Sequence, residues 1–268
     1  MDDTIPERMP AVAGDESGRP GNPVFAEPAL WRMRAAAALH LNGERLAAAI
    51  SPGLAFPRAL SSLVNALPRG VATLVDIGSG GGGGTEFLRR STGATTYAIE
   101  PSSTARCAAQ QCFPELRVAA GSATSTGLAS GCADVVTLCG VMSLVESAEP
   151  VFEEVTRLLK PTGALGVVDL FAAGADELRT GPNVFRSFEW WQEAMDRAGF
   201  TVVEVGCGVG SPLQEWVDIA DQVEGWIRRN CRHRPAFEMW VDDRRHLARL
   251  MDADGVVAGC IVGIRGGN

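Results

Sequence analysis

A run of glycines follows a short apolar stretch, and two acidic residues accompany it. Asp76 lies two residues before Gly78, and Glu100 lies 22 residues after it. Because glycine has no Cβ atom, a glycine turn lets backbone N–H groups come close to a ligand. A carboxylate at Asp76 suits a ligand with an ammonium group and is awkward beside a pyrophosphate, while Glu100 can accept hydrogen bonds from both hydroxyls of a ribose. The pattern predicts a nucleoside with a cationic tail, and S-adenosylmethionine fits.

Strands and helices alternate around this turn and must position it. The segment VATLVDIG (71–78) is typical of a buried parallel strand, and helices are predicted from Thr85, over 102–111, over 151–159 and after Ser187. Further strands are predicted at 95–100, 116–121, 133–140, 164–170, 201–206 and 255–266. This order predicts an α/β fold with a doubly wound, mostly parallel sheet of seven strands and helices on both faces.

With these elements in place, the sequence resembles the class I, seven-strand family of S-adenosylmethionine-dependent methyltransferases, of the small-molecule type. The resemblance covers roughly residues 70–206 and 255–266. The motifs that carry it are D-x-G-x-G-x-G from Asp76, GSA at 121–123, ADVVTL at 133–138, LLKPTG at 158–163 and AGF at 198–200.

The resemblance implies roles for individual residues. Asp76 would contact the methionine end of the cofactor, Glu100 the ribose, and Cys139 the methionine part from the end of the fourth strand. Ser122 and Ala123 would lie against the adenine, although many relatives have an aspartate where Ser122 stands. The glycines expected against the cofactor are Gly78, Gly80 and Gly82.

The chain is expected to form one methyltransferase domain, residues 29–268, after a flexible lead-in over residues 1–28. Within that domain, N-terminal helices and a helical insert between the last two strands are predicted to form a lid. The predicted divisions are a helical cap (29–69), the cofactor-binding core (70–206), the lid insert (207–252) and the closing strand (253–268).

Tryptophan and histidine are distributed unevenly. All six tryptophans and all three histidines lie outside residues 71–170, so the predicted lid and the flanking segments hold them. Trp31 and Trp190 are candidate pocket residues, with packing in the lid as the alternative for Trp31. His40 is the best candidate for a general base, with a packed or solvated histidine as the alternative. The balanced charges of the insert predict an ion-paired, solvated face.

Composition limits the partners. The net charge of −8 disfavours nucleic acid, and no apolar stretch is long enough to span a membrane. The N-terminal residues do not resemble a signal peptide, and seven scattered cysteines without a C-x-x-C pair indicate reduced thiols in the cytoplasm. No cluster of acidic residues or histidines suggests a metal site.

These observations predict methyl transfer from S-adenosylmethionine to a small, hydrophobic or aromatic metabolite of secondary metabolism. The sequence leaves open whether carbon, nitrogen or oxygen is methylated. The segment after the fourth strand offers only Glu146 as a titratable group, so either His40 is the base or the acceptor, such as a nucleophilic carbon or a free amine, needs little deprotonation. One alternative is an enzyme that binds S-adenosylmethionine without methylating and promotes a rearrangement or a cyclisation. A second, less favoured alternative is an NAD(P)-dependent oxidoreductase with a similar glycine turn.

Overall fold

The computed structural model of the protein describes residues 23–51, 56–174, 177–180, 183–207 and 214–266. Most of the predicted flexible lead-in lies outside these ranges. Its residues 23–28 begin the first helix instead, where Pro23 occupies the first helical position, at which a missing N–H costs nothing.

Nine strands lie within the described ranges: β1 (Thr73–Ile77), β2 (Thr95–Ile99), β3 (Arg117–Ala119), β4 (Ala133–Cys139), β5 (Leu159–Ala172), β6 (Glu177–Thr180), β7 (Asn183–Arg186), β8 (Phe200–Cys207) and β9 (Val256–Arg265). Seven of them form one sheet in the order β3-β2-β1-β4-β5-β9-β8. Strands β1 to β5 run parallel, and β9 is antiparallel to both of its neighbours. The predicted fold class is confirmed.

The helices of the described chain are α1 (Pro23–Ala38), α2 (Gly43–Ile50), α3 (Phe56–Ala66), α4 (Gly83–Thr92), α5 (Ser103–Cys112), α6 (Glu149–Leu158), α7 (Phe188–Arg197), α8 (Gln214–Asn230) and α9 (Phe237–Asp252). The N-terminal helical run is broken between Ala38 and Gly43, where α2 begins, and Ser187 caps α7 by accepting from the amide of Trp190. The helical insert does lie between the last two strands.

Two apolar layers cover the sheet, and a third apolar cluster lies among helices. Helices α6 and α7 pack on one face, and α3 and α4 on the other. The third cluster joins α1, α2, α8 and α9, and we call these four helices the helical cover. None of the helices in the described ranges combines the length and the hydrophobicity needed to cross a bilayer.

The hairpin β6–β7 was not predicted. Its first strand, ELRT, has a single strongly apolar residue, Leu178, so it lacks the alternation that indicates a strand. The hairpin lies between β5 and α7 and packs against the segment that follows β4. It therefore reaches the end of the sheet where parallel strands of this kind place their ligands.

Candidate active site

The glycine turn between β1 and α4 has the backbone geometry that only glycine adopts easily. Gly78 and Gly80 have φ angles of +73° and +55°, and the amide of Gly78 donates to the carbonyl of Ile99, 2.7 Å away. A Cβ atom at Gly78 would lie 2.3 Å from Cγ2 of Val141, whereas one at Gly80 would meet no atom within 4 Å. Protein atoms therefore fill the space beside Gly78, whereas the space beside Gly80 is free for a ligand.

Glu100 ties this turn to the start of the next helix. One carboxylate oxygen accepts from the amide of Gly80 at 2.9 Å, and the other from the amide of Ser102 at 2.8 Å. The side chain is buried, and burial raises its pKa above the ordinary value for glutamate. Each oxygen keeps a free lone pair, so the carboxylate can still accept from hydroxyl groups of a ligand.

Asp76 lies beneath the turn, at the end of β1. Its two oxygens accept from the hydroxyls of Thr85 (2.5 Å) and Thr137 (2.7 Å), and the Cys139 thiol is a further hydrogen-bond partner. Burial raises the pKa of Asp76 to about 6, although the hydrogen bonds act in the opposite direction. Asp76 therefore joins β1, β4 and α4, and as an anion it places a buried negative charge under the turn.

The residues predicted against the adenine and the methionine part lie at the neighbouring strand ends. Ser122 and Ala123 follow β3 and are half-buried; the amide of Ser122 donates to Ser125, and its hydroxyl is 3.3 Å from that of Thr124. Cys139 is the last residue of β4 and is also half-buried. Gly82 precedes α4 with a φ of +87°. The structure thus brings the predicted cofactor residues to the carboxyl ends of β1 to β4.

The segment Gly140–Glu146 after β4 is held by two buried charged residues that sequence reasoning missed. Asp169 of β5 accepts from the amides of Met142 (2.9 Å) and Ser143 (3.2 Å). Arg186 of β7 donates to the carbonyls of Val145 (3.1 Å) and Glu146 (2.8 Å). Burial raises the pKa of Asp169 and lowers that of Arg186. An acidic residue inside the apolar run GVVDLFA was a usable signal for Asp169, whereas nothing in the sequence pointed to Arg186.

Trp190 lies close to this segment. The guanidinium of Arg186 is 4.6 Å from the centroid of the Trp190 ring. The rings of Trp190 and Trp191 meet edge to face, with their centroids 5.2 Å apart. Trp190 is half-buried, and Leu144 of the same segment is 40% exposed. Trp191 is buried in the apolar layer on one face of the sheet. Apolar surface is therefore available beside the segment that follows β4.

Trp31 and His40 lie elsewhere. Trp31 is 2% exposed and packs against Phe237 and Trp240. It therefore lies in the core of the helical cover and not on the wall of a pocket. His40 is exposed and lies in the turn after α1, with a left-handed φ of +53°. It precedes α2, whose eight residues span about 12 Å, so it lies far from the end of α2 that contacts the glycine turn. His40 is not brought to the other predicted site residues.

The chain's own residues fit S-adenosylmethionine. The Ser79 hydroxyl in the turn is buried without a hydrogen-bond partner in the described part of the chain, and the position of a Cβ at Gly80 is open. Buried carboxylates at Asp76 and Glu100 suit its cationic groups and its ribose. In the described ranges, no three His, Cys, Asp or Glu side chains come close enough together to hold a metal ion.

Residues 75–167 match the family model of a methyltransferase domain. No curated protein matches the chain in sequence. Solved structures similar in fold include phosphoethanolamine N-methyltransferase 2 of Haemonchus contortus, with a TM-score of 0.63 and 15% identity over 87% of this chain and 56% of that one. The [4+2]-cyclase SpnF has a TM-score of 0.63 and 16% identity over 79% of this chain and 82% of that one. Geranyl diphosphate C-methyltransferase from Streptomyces coelicolor A3(2) has a TM-score of 0.58 and 14% identity over 77% and 74%.

At these identities the structural likeness is one of fold, and the chain spans 56% of the length of the Haemonchus enzyme. The family match covers the glycine turn, Glu100, β4 and much of β5. Together with the order of the strands, it shows the Rossmann-like α/β fold of class I methyltransferases, with the methyltransferase-domain match confined to residues 75–167. The match favours the methyltransferase hypothesis over the nicotinamide-dependent alternative.

Proposed function

We propose that the protein transfers a methyl group from S-adenosylmethionine to a small, hydrophobic or aromatic metabolite, in the context of secondary metabolism. The observation that carries the proposal is the bond from Gly80 to Glu100 across a turn that is open at Gly80. This hydrogen bond holds the Glu100 carboxylate, which can accept from ribose hydroxyls, next to backbone that no side chain covers. A nucleoside cofactor needs this arrangement.

Each predicted cofactor residue has a defined task in this proposal. When bound, S-adenosylmethionine supplies a methyl group on a cationic sulfur that is a good leaving group. Glu100 holds the ribose hydroxyls, and the ionised Asp76 favours the cationic methionine end through its remaining lone pairs. The turn at Gly78, Gly80 and Gly82 admits the cofactor to the backbone. On the flanking strands, Ser122 and Ala123 lie against the adenine and Cys139 against the methionine part.

The acceptor side supports a hydrophobic or aromatic substrate. Leu144 presents apolar surface on the segment after β4, and Trp190 offers an aromatic face beside it. Arg186 contacts both that segment and the Trp190 ring, so it keeps the two together. The Streptomyces neighbour is by its name an enzyme that methylates geranyl diphosphate, a small molecule with a hydrophobic chain. Holding such an acceptor in line with the methyl group supplies catalysis by proximity.

A second candidate is an enzyme that binds S-adenosylmethionine and promotes a cyclisation or rearrangement without methyl transfer. Glu146, the single titratable residue of Gly140–Glu146, has a side chain that is 77% exposed and paired with Arg179 at 2.9 Å. Asp169 is nearby, but its oxygens accept amide hydrogen bonds. The chain therefore holds no free general base on this segment, and the neighbour SpnF is by its name a cyclase. Methyl transfer also stays possible without this base, because a nucleophilic carbon or a free amine can accept the methyl group without one.

The experiment that tests the function has two stages. Calorimetry on the purified protein should show saturable binding of S-adenosylmethionine and none of NADH, with Asp76→Asn and Glu100→Gln each weakening binding at least about tenfold, or 1.4 kcal/mol. Glu115→Gln, which changes an exposed glutamate, is the matched control. Unchanged affinity in both site variants would remove the proposed cofactor contacts.

Formation of S-adenosylhomocysteine is then followed with a panel of small aromatic and terpenoid acceptors, with RNA and a basic peptide as further members. Product with a small acceptor supports methyl transfer to a metabolite. Product with RNA or the peptide alone would overturn it. Tight binding without product from any member would favour the cyclisation alternative.

We also propose that the protein works in the cytoplasm on a small molecule instead of nucleic acid. The cysteines whose side chains are described carry free thiols, as expected in a reducing compartment. The net charge of −8 opposes binding to a phosphate backbone. The RNA member of the acceptor panel tests the second part.

A further inference from the structure

Arg32 of α1 is a buried charged residue that contacts the end of α2 on one side and α8 on the other. Its side chain is 3% exposed, and its Nη1 donates to the carbonyls of Ala49 (3.2 Å) and Ser51 (3.3 Å). These carbonyls are at the C-terminal end of α2, where helix carbonyls lack partners within the helix. Arg32 therefore acts as a cap that α1 supplies to α2.

The end of α2 that Arg32 holds lies directly on the glycine turn. A Cβ atom at Gly81 would lie 2.6 Å from Cγ2 of Ile50, and one at Gly83 would lie 2.4 Å from the carbonyl of Ala47 and 2.7 Å from Ser51. Contacts this close leave no space for a side chain. Gly81 and Gly83, which are not among the glycines predicted against the cofactor, are therefore required by the packing of α2 on the turn.

The other side of Arg32 faces the insert. Its guanidinium is 3.9 Å from Glu224 of α8, and the same carboxylate receives a hydrogen bond of 2.5 Å from Arg244 of α9. Arg228 also approaches Glu224, at 3.8 Å, but its side chain is 44% exposed. Burial lowers the pKa of Arg32 to about 10, so it remains charged at neutral pH. Glu224 thus connects α1 with both helices of the insert.

We propose that Arg32 is a positioning residue for the cofactor turn. It seats the end of α2 on Gly81 and Gly83 and, through Glu224, connects that contact to α8 and α9. Binding of the cofactor at the turn is then linked to the order of the helical cover. This inference rests on the proposed cofactor site, but it concerns residues that do not touch the cofactor.

The test combines calorimetry with hydrogen exchange measured by mass spectrometry. In the wild-type protein, S-adenosylmethionine should slow exchange in the glycine turn and also in α8 and α9. In Arg32→Met, we expect affinity to fall about tenfold. At saturating cofactor, the turn of this variant should still be protected, whereas α8 and α9 should no longer respond. Arg32→Lys should restore part of the response, because its ammonium keeps the charge with fewer donors.

Arg228→Met is the matched control, since Arg228 also pairs with Glu224 and lies over the ring of Trp240 in α9, but makes no hydrogen bond or ion pair with α2 among the described residues. This variant should bind S-adenosylmethionine with wild-type affinity, and the cofactor should slow hydrogen exchange in α8 and α9 as in the wild type. If Arg32→Met does not fold, Glu224→Gln gives the same information, because it keeps the shape and the bonds from Arg32 to α2. This variant should lose the response of α8 and α9 with less than about a threefold change in affinity.

The outcomes separate the two proposals. Binding without protection of α8 and α9 in the wild type overturns the role of Arg32 and leaves the proposed function intact. A folded Arg32→Met with wild-type affinity and protection also overturns it, as does a full response in Glu224→Gln. A wild-type protein that binds no S-adenosylmethionine overturns the proposed function, and the inference with it.

Discussion

The carboxyl end of the sheet has two sides. The cofactor side comprises the glycine turn, Asp76 and Glu100, and the acceptor side comprises the segment Gly140–Glu146 with Asp169 and Arg186. The two sides are stabilised by different contacts. On the cofactor side, Glu100 accepts hydrogen bonds from the backbone amides of Gly80, 20 residues away in the glycine turn, and of Ser102. On the acceptor side, Asp169 and Arg186 reach segments that are 27 and 40 residues away along the chain. Both sides contain buried carboxylates, but the first places them against a glycine turn with left-handed backbone, whereas the second adds a buried arginine from the hairpin β6–β7. We therefore expect substitutions on the two sides to change different quantities.

The largest expected effect is on the cofactor side, at Gly80. In Gly80→Val, the side chain would occupy the open space beside Glu100, so affinity for S-adenosylmethionine should fall by about a hundredfold or more. The left-handed backbone also costs the variant roughly 1–2 kcal/mol of stability. Calorimetry measures the first effect and urea denaturation the second.

Gly93→Val is the matched control for this strain. Gly93 has a φ of +71°, also has no atom within 4 Å of its Cβ position, and ends α4 away from the turn. It should lose similar stability and keep its affinity. Equal loss of affinity in both variants would mean that strain, and not blocked space, weakens binding.

A smaller effect on the same side should follow pH. The pKa of Asp76 is raised to about 6 by burial, so its protonation stabilises the unliganded fold below about pH 4, and this contribution is lost as the pH rises through 6. The cationic cofactor prefers the ionised form, which predominates above pH 6. Affinity should therefore fall about tenfold from about pH 7.5 to about pH 5.

Asp76→Asn should remove most of this pH dependence, and calorimetry across the range measures it. Glu100, which is buried close by and also has a raised pKa, titrates in the same direction and accounts for the remainder. A wild-type affinity that is constant across the range would contradict the charged role of Asp76.

On the acceptor side, Arg186→Met should lower kcat with whichever acceptor yields product by about fivefold, or about 1 kcal/mol. The carbonyls of Val145 and Glu146 lose their donor, so the segment after β4 is held less firmly. Affinity for S-adenosylmethionine should stay within about twofold. Arg179→Met is the control, because Arg179 pairs with Glu146 and Glu177 through exposed side chains. A parallel loss of cofactor affinity in Arg186→Met would show that the two sides are not separate.

The smallest effect is expected at His40, outside both sides. His40→Gly should raise the free energy of unfolding by up to about 1 kcal/mol, because glycine adopts the left-handed conformation without strain. His233→Gly, at a residue whose backbone is not left-handed, should give no such gain. A general base contributes roughly a hundredfold or more, so a loss of turnover of that size in His40→Gly would restore the catalytic prediction.

The difference between the two sides also explains which parts could be predicted. Asp76, the glycines and Glu100 were found from spacing, because a parallel sheet brings successive strand ends to one edge. Trp31 and Trp190 could be separated only by their packing, since residue type does not say which face of a helix meets which neighbour. Arg186 lies in a hairpin that was missed because its strands are short and charged.

By itself, the sequence determined the α/β fold and that Asp76, the glycine turn and Glu100 meet at one edge of the sheet, because these follow from strand periodicity and from the convergence of parallel strand ends. Tertiary structure alone decided that Asp169 and Arg186 hold the segment after β4 and that Arg32 holds the end of α2. These contacts join residues that are distant in sequence, and a buried charge is stable only where folding supplies its partners. No local pattern records which partners those will be.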